Sequence, residues 1–336
     1  MRYDVALIGA GPSGSYAAEN LSSLGHKTLI IDPCDKKKIC AGILTAQYVR
    51  QYGVDESYVE RKLKGVRLSF RDIRAEITYR KAVEYSIDRE AYDSFNLNEA
   101  ISAGAWLRKD TALSLEENGS SVAIRTTKGQ ILADHAIVAA GMSDLSRLCG
   151  GPEKYAFCVQ QKKDLEPSDY FEMNLMHGGY SWSAPKKDCV LTGTSSLSGY
   201  PDIPGEKGLI PLGPVKKTFS KMILLEGDAG GLVSPFEGEG IYYARRSGVI
   251  AAEIISGVAE GKNTLADYES CWKTEFDFST LALVSRMLSN DRVLELFTRS
   301  VRDNERFNKL VESILTKENK KPGIKDIRFL IKTLVS

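Results

Sequence analysis

Short, uninterrupted apolar runs recur along the chain, separated by longer amphipathic segments. Four of these runs lie within residues 5–8, 27–31, 135–140 and 222–226, where polar residues stand only at the ends: Lys27, Thr28, His135 and Glu226. Runs of this length without polar alternation are typical of parallel strands that are buried on both faces. The first two flank a segment with helical spacing, residues 13–24, so the chain is predicted to open with a strand–helix–strand unit.

Strict alternation of apolar and polar residues marks a second class of segments. It predicts antiparallel strands at residues 65–70 and 75–79, and mostly strand over residues 153–221. Residues 122–126 and 130–133 are predicted to form a hairpin, and the buried run at residues 135–140 is predicted to be a separate strand that follows it. The whole pattern indicates an α/β fold with a parallel sheet and a second, mainly antiparallel sheet.

Composition narrows the function classes. With 336 residues the chain is long enough for two domains, and its formal net charge of +1 gives no reason to expect nucleic acid. No apolar stretch is long enough for a transmembrane helix. The six cysteines include no C-x-x-C pair, so no metal site is predicted, and reduced thiols in a cytoplasmic protein are expected.

A glycine-rich loop follows the first apolar run. Gly9, Gly11 and Gly14 complete the G-x-G-x-x-G pattern, in which the glycines allow a tight turn, close approach of a pyrophosphate and helix–strand packing. The helix that starts near Ser13 would direct its amide groups at the phosphates. Asp32 ends the second strand, at the distance where an acid accepts from a ribose hydroxyl. A Rossmann-like domain is therefore predicted.

A second glycine-rich segment lies more than two hundred residues downstream. Asp228 follows the last apolar run, where its carboxylate could accept from a ribityl hydroxyl. Gly240 precedes a helix that is predicted to begin at Ile241, whose positive end could stabilise negative charge on a reduced flavin. The combination of both segments indicates FAD as the cofactor.

The two segments together resemble a flavoprotein group that includes aromatic hydroxylases, flavin halogenases and geranylgeranyl reductases. Within it, residues 227–248 are most similar to the geranylgeranyl reductase family. Four further segments agree with that family in order and spacing, at residues 38–42, 87–93, 178–185 and 208–213.

The resemblance implies roles for individual residues. Cys40, Ala41 and Gly42 match the family's loop beside the flavin, and Cys40 either only contacts the cofactor or also protonates the substrate. Arg89 is implied to reach the ribose or pyrophosphate, and Ala112 to meet the adenine through its backbone.

Tyr180 and Trp182 lie two residues apart on a predicted strand and therefore share one face. In the resemblance they line a cavity in front of the flavin and, with Cys40, form the predicted catalytic site. The alternative is that both aromatic side chains pack in the core. Ala184 stands where the family pattern has a phenylalanine, and the segment between Pro185 and Gly208 is shorter than the corresponding segment of the family. The substrate side of the protein therefore departs from the family pattern.

The resulting domain prediction has three parts. A discontinuous FAD-binding domain is expected at residues 1–62, 86–150 and 222–264. A substrate-binding β-sheet domain is expected at residues 63–85 and 151–221, and a C-terminal helical region at residues 265–336. In the tail, residues 324–335 place apolar side chains on one helical face. This face suits either a helix that docks on the protein or peripheral contact with a membrane surface.

The implied activity is reduction of carbon–carbon double bonds in an isoprenoid chain, carried on a lipid or a quinone. Two alternatives stay open: a flavin-dependent monooxygenase or halogenase, and an electron-transfer or redox-sensing flavoprotein with a reduced substrate cavity. The sequence contains no second G-x-G-x-x-G for a nicotinamide cofactor, so ferredoxin and NAD(P)H both stay open as electron donors.

Overall fold

The computed structural model describes residues 2–35, 38–235, 238–316 and 329. The chain divides into two compact units, each assembled from three separate stretches of sequence. The first unit comprises Met1–Lys37, Glu90–Tyr155 and Ile210–Ala282; the second comprises Lys38–Arg89, Ala156–Leu209 and Leu283–Ser336.

The described residues form the following secondary structure elements. The strands are β1 Arg2–Ile8, β2 Thr28–Ile31, β3 Ile43–Leu44, β4 Val59–Leu63, β5 Gly65–Phe70, β6 Ile73–Thr78, β7 Glu84–Ile87, β8 Trp106–Arg108, β9 Ala112–Asn118, β10 Ser121–Thr126, β11 Gly129–Val138, β12 Tyr155–Lys163, β13 Tyr170–Met176, β14 Gly179–Pro185, β15 Val190–Ser196, β16 Glu206–Pro211 and β17 Ile223–Leu225. The helices are α1 Pro12–Ser23, α2 Ala46–Tyr52, α3 Arg89–Ser102, α4 Asp144–Leu148, α5 Ile241–Ala259, α6 Leu265–Glu275, α7 Phe278–Met287, α8 Asp291–Asp303 and α9 Glu305–Leu315, with a 3₁₀ turn at Gly227–Gly230.

The first unit is built on a sheet with the strand order β8-β2-β1-β11-β10-β9, in which β17 also pairs with β11. The pairs β1–β2, β1–β11, β2–β8 and β11–β17 are parallel, as the buried apolar runs predict. The β9–β10 and β10–β11 pairs are antiparallel. This arrangement confirms the predicted α/β fold and puts the carboxyl ends of β1, β2 and β17 at one edge of the sheet.

The sequence pattern predicted two strands where the structure has one. β11 runs without a break, and the polar pair Asp134–His135 lies in its middle, half-buried. The amino-terminal half of β11 pairs with β10 and the carboxyl-terminal half pairs with β17. The polar pair therefore marks a change of neighbour, which the hydrophobic pattern alone cannot distinguish from a chain break.

Helices α1 and α5 cross at very close distance within the first unit. A Cβ built at Gly248 on α5 would lie 2.5 Å from the carbonyl oxygen of Ser13 and 3.2 Å from the amide nitrogen of Ala17, both on α1. Since the obstructing atoms are backbone atoms, they cannot move aside as a side chain would. The absence of a side chain at Gly248 thus fixes the spacing of the two helices.

The second unit contains a sheet with the strand order β16-β12-β15-β14-β13-β5-β6 and a small antiparallel sheet, β3-β7-β4. The predicted antiparallel pairing of residues 65–70 with the next strand is confirmed in β5 and β6. Their apolar faces form a core with α8 and α9, in which Ile77, Val301 and Phe307 are fully buried.

The two compact units do not have the same boundaries as the predicted domains. The assignment of a function to each predicted domain stays a prediction. Residues 38–62 lie in the second unit, where β3 and β4 pair with β7, although the sequence analysis assigned them to the cofactor domain. The C-terminal helices are divided too, because α6 belongs to the first unit and α8 and α9 to the second. The amphipathic tail, residues 324–335, lies outside the described residues apart from Phe329.

Gly248→Ala tests the helix crossing. We expect the added methyl group to lower the free energy of unfolding by about 1–3 kcal/mol, because it overpacks a backbone contact. Urea unfolding followed by circular dichroism measures the change. Glu253→Ala, on the exposed side of the same helix, is the control and should stay within about 0.5 kcal/mol. Equal stability of the two variants would contradict the role given to Gly248.

Candidate functional site

The loop after β1 uses its three glycines in different ways. Gly9 has φ +112°, and a side chain there would overlap the carbonyl group of Ala139. A Cβ at Gly14 would overlap the carbonyl oxygen of Gly9. Around Gly11, in contrast, a Cβ would meet no atom within 4 Å, and the backbone φ is −72°. Gly9 and Gly14 are therefore required by the fold, whereas Gly11 faces open space.

The start of α1 forms one wall of that space. Gly11 is the N-cap residue, it provides no side-chain hydrogen bond to the helix, and the first turn contains no acidic residue. The amide groups and the positive end of the helix are thus available to an anion. Ser13, in the first turn, is 4% exposed. These features fit a bound pyrophosphate group.

Asp32 is fixed at the edge of this loop, at the end of β2. One carboxylate oxygen, Oδ2, accepts a hydrogen bond from the Ala10 amide at 2.7 Å, and Oδ1 accepts from the Cys34 amide at 2.6 Å. The carboxylate is half-buried and retains further lone pairs. The predicted contact with a ribose hydroxyl is compatible with this geometry and stays a prediction.

The downstream glycine-rich segment is located in the same unit. Asp228 lies in the 3₁₀ turn that follows β17 and is half-buried. A Cβ built at Gly240 would lie 3.5 Å from Asp228 Oδ1, so the carboxylate and the start of α5 are adjacent. Helix α5 begins at Ile241, without a side-chain cap and without an acidic residue in its first turn. A second uncapped helix end therefore lies beside the predicted flavin-contacting carboxylate.

Ala112 is the first residue of β9, and it is held by a buried carboxylate that the sequence analysis did not consider. Asp110 accepts hydrogen bonds from the Thr126 hydroxyl at 2.6 Å, the Thr111 amide at 2.8 Å and Arg108 Nε at 2.9 Å. Burial by itself would raise the pKa of Asp110, but these hydrogen bonds outweigh it and hold the pKa well below its usual range. Asp110 thus anchors the turn that leads into Ala112.

In the second unit, residues 40–42 form a tight loop before β3. The Gly42 amide donates to Cys40 Sγ at 3.4 Å, and Gly42 has φ +69°. A Cβ at Gly42 would lie 2.7 Å from the Ile87 carbonyl oxygen and 3.4 Å from Cγ of Arg89. Cys40, Ala41, Gly42 and Arg89 are therefore brought together, and the stem of Arg89 packs on the loop.

Lys186 supports this loop from beneath and was missed by the sequence analysis. Its side chain is 5% exposed, and Nζ donates to the Ile87 carbonyl at 2.6 Å and pairs with Glu60 at 3.2 Å. Nζ also lies 2.8 Å from a Cβ built at Gly42. Burial lowers the pKa of Lys186, while Glu60 acts in the opposite direction. The sequence does not distinguish Lys186 from the exposed Lys187 beside it, so only the fold reveals its burial.

Tyr180 and Trp182 lie on the same face of β14, with ring centroids 5.7 Å apart. Trp182 is buried, and its ring covers Gly193 on β15, where a Cβ would overlap it. Trp182 Nε1 is buried without a hydrogen-bond partner among the described residues. Tyr180 is half-buried; burial raises the pKa of its phenol, and Cys158 and Cys40 add to the rise. Tyr180 therefore lies within electrostatic range of Cys40, whereas Trp182 packs against the sheet.

No group of His, Cys, Asp or Glu side chains within the described part of the chain is arranged to hold a metal ion. Likewise, none of the described helices is long and apolar enough to cross a membrane.

Comparison with known proteins gives a consistent result. No family model matches the chain. It is 27% identical to a digeranylgeranylglycerophospholipid reductase of Methanothrix thermoacetophila, over all of this chain and 96% of the relative. A reductase of the same name from Methanocaldococcus jannaschii is also 27% identical, over 81% of this chain and 82% of the relative.

Solved structures agree on the fold. A geranylgeranyl bacteriochlorophyll reductase-like protein from Thermoplasma acidophilum matches with a TM-score of 0.80 at 22% identity, over 98% of this chain and 99% of that one. A variant of the halogenase PltM in complex with FAD matches with a TM-score of 0.67 at 14% identity, over 99% and 85% of the two chains.

The chain therefore shares its fold with a geranylgeranyl bacteriochlorophyll reductase-like protein and with a flavin halogenase. In sequence, the chain is similar to curated geranylgeranyl and digeranylgeranylglycerophospholipid reductases, which confirms the resemblance found in its motifs.

Gly11→Ala separates cofactor binding from folding. Since the φ of Gly11 suits alanine and its surroundings are open, we expect the variant to be as stable as the wild type, or more stable by about 0.4–1 kcal/mol. The methyl group would occupy space next to the helix start, so affinity for FAD should fall about tenfold or more, as measured by titration of FAD fluorescence. Gly14→Ala is the matched variant, and it should lose thermal stability. Unchanged FAD affinity in Gly11→Ala would exclude Gly11 from the cofactor site.

Lys186→Met tests the support of the 40–42 loop. Removal of the ammonium leaves the Glu60 carboxylate and the Ile87 carbonyl without their partner, and we expect a loss of about 1–3 kcal/mol in thermal or urea unfolding. Lys187→Met changes the neighbouring exposed lysine and should be nearly neutral. A similar, small effect of both substitutions would show that Lys186 does not hold the loop.

Proposed function

We propose that the protein is an FAD-dependent reductase that saturates carbon–carbon double bonds of an isoprenoid chain on a lipid or a quinone. The observation that carries this proposal is the pair of uncapped helix ends, each preceded by a glycine and beside a carboxylate, with open space around Gly11 at the first of them. The chain that contains them is similar in sequence to geranylgeranyl reductases. A dinucleotide needs this combination of anion binding and ribose recognition.

The residues that would hold FAD follow from the geometry of each unit and from the family resemblance. The amides at the start of α1 bind the pyrophosphate, Asp32 and Asp228 accept from hydroxyl groups, and the start of α5 faces negative charge. The proposed cofactor-binding residues are Gly9, Gly11, Ser13, Gly14, Asp32, Cys40, Ala41, Gly42, Arg89, Ala112, Asp228, Gly240 and Ile241.

Saturation of a double bond requires a hydride and a proton. FAD, once reduced and bound, supplies the hydride. We propose that the Cys40 thiol delivers the proton from Sγ to the second carbon of the double bond, which leaves a thiolate that is reprotonated from water. Tyr180 would shape the apolar surface on which the isoprenoid chain lies and would exclude water from it. Trp182 keeps this face of β14 rigid by covering Gly193.

The electron donor and the route of the lipid remain part of the proposal. Either ferredoxin or NAD(P)H would reduce the flavin, and the lipid substrate would be taken up through peripheral contact with a membrane surface. The amphipathic pattern of the tail, residues 324–335, is the sequence feature that supports such contact.

The activity is tested with FAD-loaded protein that has been reduced with dithionite under anaerobic conditions. Mixed with digeranylgeranyl glycerophospholipid in detergent micelles, it should yield products heavier by two hydrogens per reduced bond, as measured by mass spectrometry. A prenylated quinone serves as the second substrate. Unchanged masses with both substrates, together with oxygen-dependent hydroxylation or halogenation of an aromatic compound, would replace the reductase by the oxygenase alternative.

Cys40→Ala tests the proposed proton donor. We expect the rate of hydrogenation to fall about 10²–10⁴-fold, the range typical of a lost general acid, while FAD stays bound. Cys271→Ala removes an exposed thiol on α6 and should leave the rate unchanged. If Cys40→Ala retains the wild-type rate, the thiol only contacts the cofactor and another group provides the proton.

A further inference from the structure

Glu226 is a buried carboxyl group directly before the Gly227-Asp228 turn. Its side chain is 0% exposed, and neither carboxylate oxygen has a hydrogen-bond partner among the described residues. The Glu226 backbone continues the parallel pairing of β17, since its amide donates to the Val138 carbonyl at 3.1 Å. The side chain is thus held by its strand in the interior of the first unit, in a position where an apolar residue would be expected.

The described groups around Glu226 come from three helices, and no positively charged group among the described residues acts on its carboxyl group. Ser13 of α1 lies next to the turn, because a Cβ at Gly227 would be 2.9 Å from its Oγ. Ser247 of α5 accepts from the Gly227 amide at 3.1 Å. The Tyr268 hydroxyl of α6 donates to the Leu225 carbonyl at 3.1 Å. Tyr268 is the titratable group that faces Glu226, and burial, with Glu226 as a further cause, raises the pKa of its phenol.

This environment favours the neutral carboxylic acid. A buried carboxylate without hydrogen bonds or a counter-ion is far less stable than its protonated form. Burial raises the pKa of Glu226 to about 8, and the Ser13 hydroxyl opposes the rise only in part, because the pair lacks the geometry of a hydrogen bond. At neutral pH, Glu226 is therefore mostly protonated.

The position of Glu226 relates its charge to the anion site. Ser13 belongs to the first turn of α1, the same turn whose amides would bind the pyrophosphate. A negative charge next to that turn would compensate the positive end of the helix and repel the phosphates. The interaction acts through a buried medium and is weakly screened by salt.

We propose that Glu226 must be protonated for the cofactor to bind tightly, so that its ionisation releases FAD. This inference rests on the proposed FAD site, and it identifies Glu226 as a positioning residue that makes cofactor affinity depend on pH. Binding of FAD raises the affinity of Glu226 for its proton by the same factor by which protonation strengthens FAD binding.

The test measures the Kd for FAD on the full-length apoprotein between about pH 6 and about pH 9.5. In the wild type, Kd should be constant at low pH and rise about tenfold per pH unit above pH 8, because one proton is lost with the cofactor. Glu226→Gln, which is neutral at every pH, should bind FAD with a constant Kd across the same range. Glu253→Gln, an exposed glutamate on α5, should keep the wild-type profile.

A second measurement tests the protonation state without cofactor. The pKa of Glu226 is higher in the folded state than its ordinary value of 4.5, so the folded protein binds the proton more tightly than the unfolded chain. The contribution of this group to the free energy of unfolding is fully present below pH 4.5 and is lost as the pH rises to about 8. The midpoint of thermal unfolding of Glu226→Gln should lack this fall and exceed that of the wild type above pH 8.

The possible outcomes separate the two levels of the proposal. If FAD binds to the wild type and to Glu226→Gln with the same pH profile, the inference is wrong and the cofactor site stands. If neither protein binds FAD at any pH, the proposed function itself fails, and the inference fails with it. Should Glu226→Gln not fold, Glu226→Leu provides the neutral side chain, and a wild-type Kd that is constant up to pH 9.5 overturns the inference without any variant.

Discussion

Backbone-to-backbone contact in the first unit is the constraint on which the candidate cofactor site depends. Gly14 lies against the carbonyl oxygen of Gly9, and Gly248 lies against that of Ser13, with no room for a Cβ at either position. These contacts fix α1 on β1 and α5 on α1. Since both helix ends are uncapped, the spacing set by the glycines also sets the spacing of the two positive helix ends. The same missing side chains thus set both the close packing of the helices and the spacing of their amino-terminal ends.

Buried charges show how differently the chain treats ionisable groups in its interior. Asp110 is surrounded by donors that stabilise its anion, and Lys186 is paired with Glu60 and a backbone carbonyl. Both serve to hold a turn or a loop in place. Within the described part of the chain, Glu226 has neither a hydrogen-bond donor nor a counter-ion, so its stable form is the neutral acid. Glu226 lies beside the proposed cofactor-binding segment, and its lack of stabilising partners is more typical of a group that takes up and releases a proton than of a group that only maintains the fold.

Part of this molecule could be predicted from local sequence, because the relevant contacts are short in sequence or repeat with a regular period. The glycine spacing after β1, Asp32 at the end of β2 and the start of α5 at Ile241 were all predicted, and the structure has these elements where expected. The single strand β11 was not predicted, since its polar centre looks like a break until β10 and β17 are seen to share one side of it. Lys186 and Glu226 escaped notice because burial of a charged residue depends on neighbours from distant segments.

The sequence by itself determined the parallel core, the glycine loops and the family resemblance, since apolar period and glycine spacing directly reflect strand burial and backbone geometry. Only the tertiary structure decided which polar residues are buried and what they meet there. It divided the C-terminal helices between the two compact units and covered Gly193 with Trp182. It also enclosed Glu226 among Ser13, Ser247 and Tyr268. The charge state of a side chain depends on the water that folding removes and on the partners that folding supplies. These partners can lie more than two hundred residues away in the sequence, as Ser13 does from Glu226.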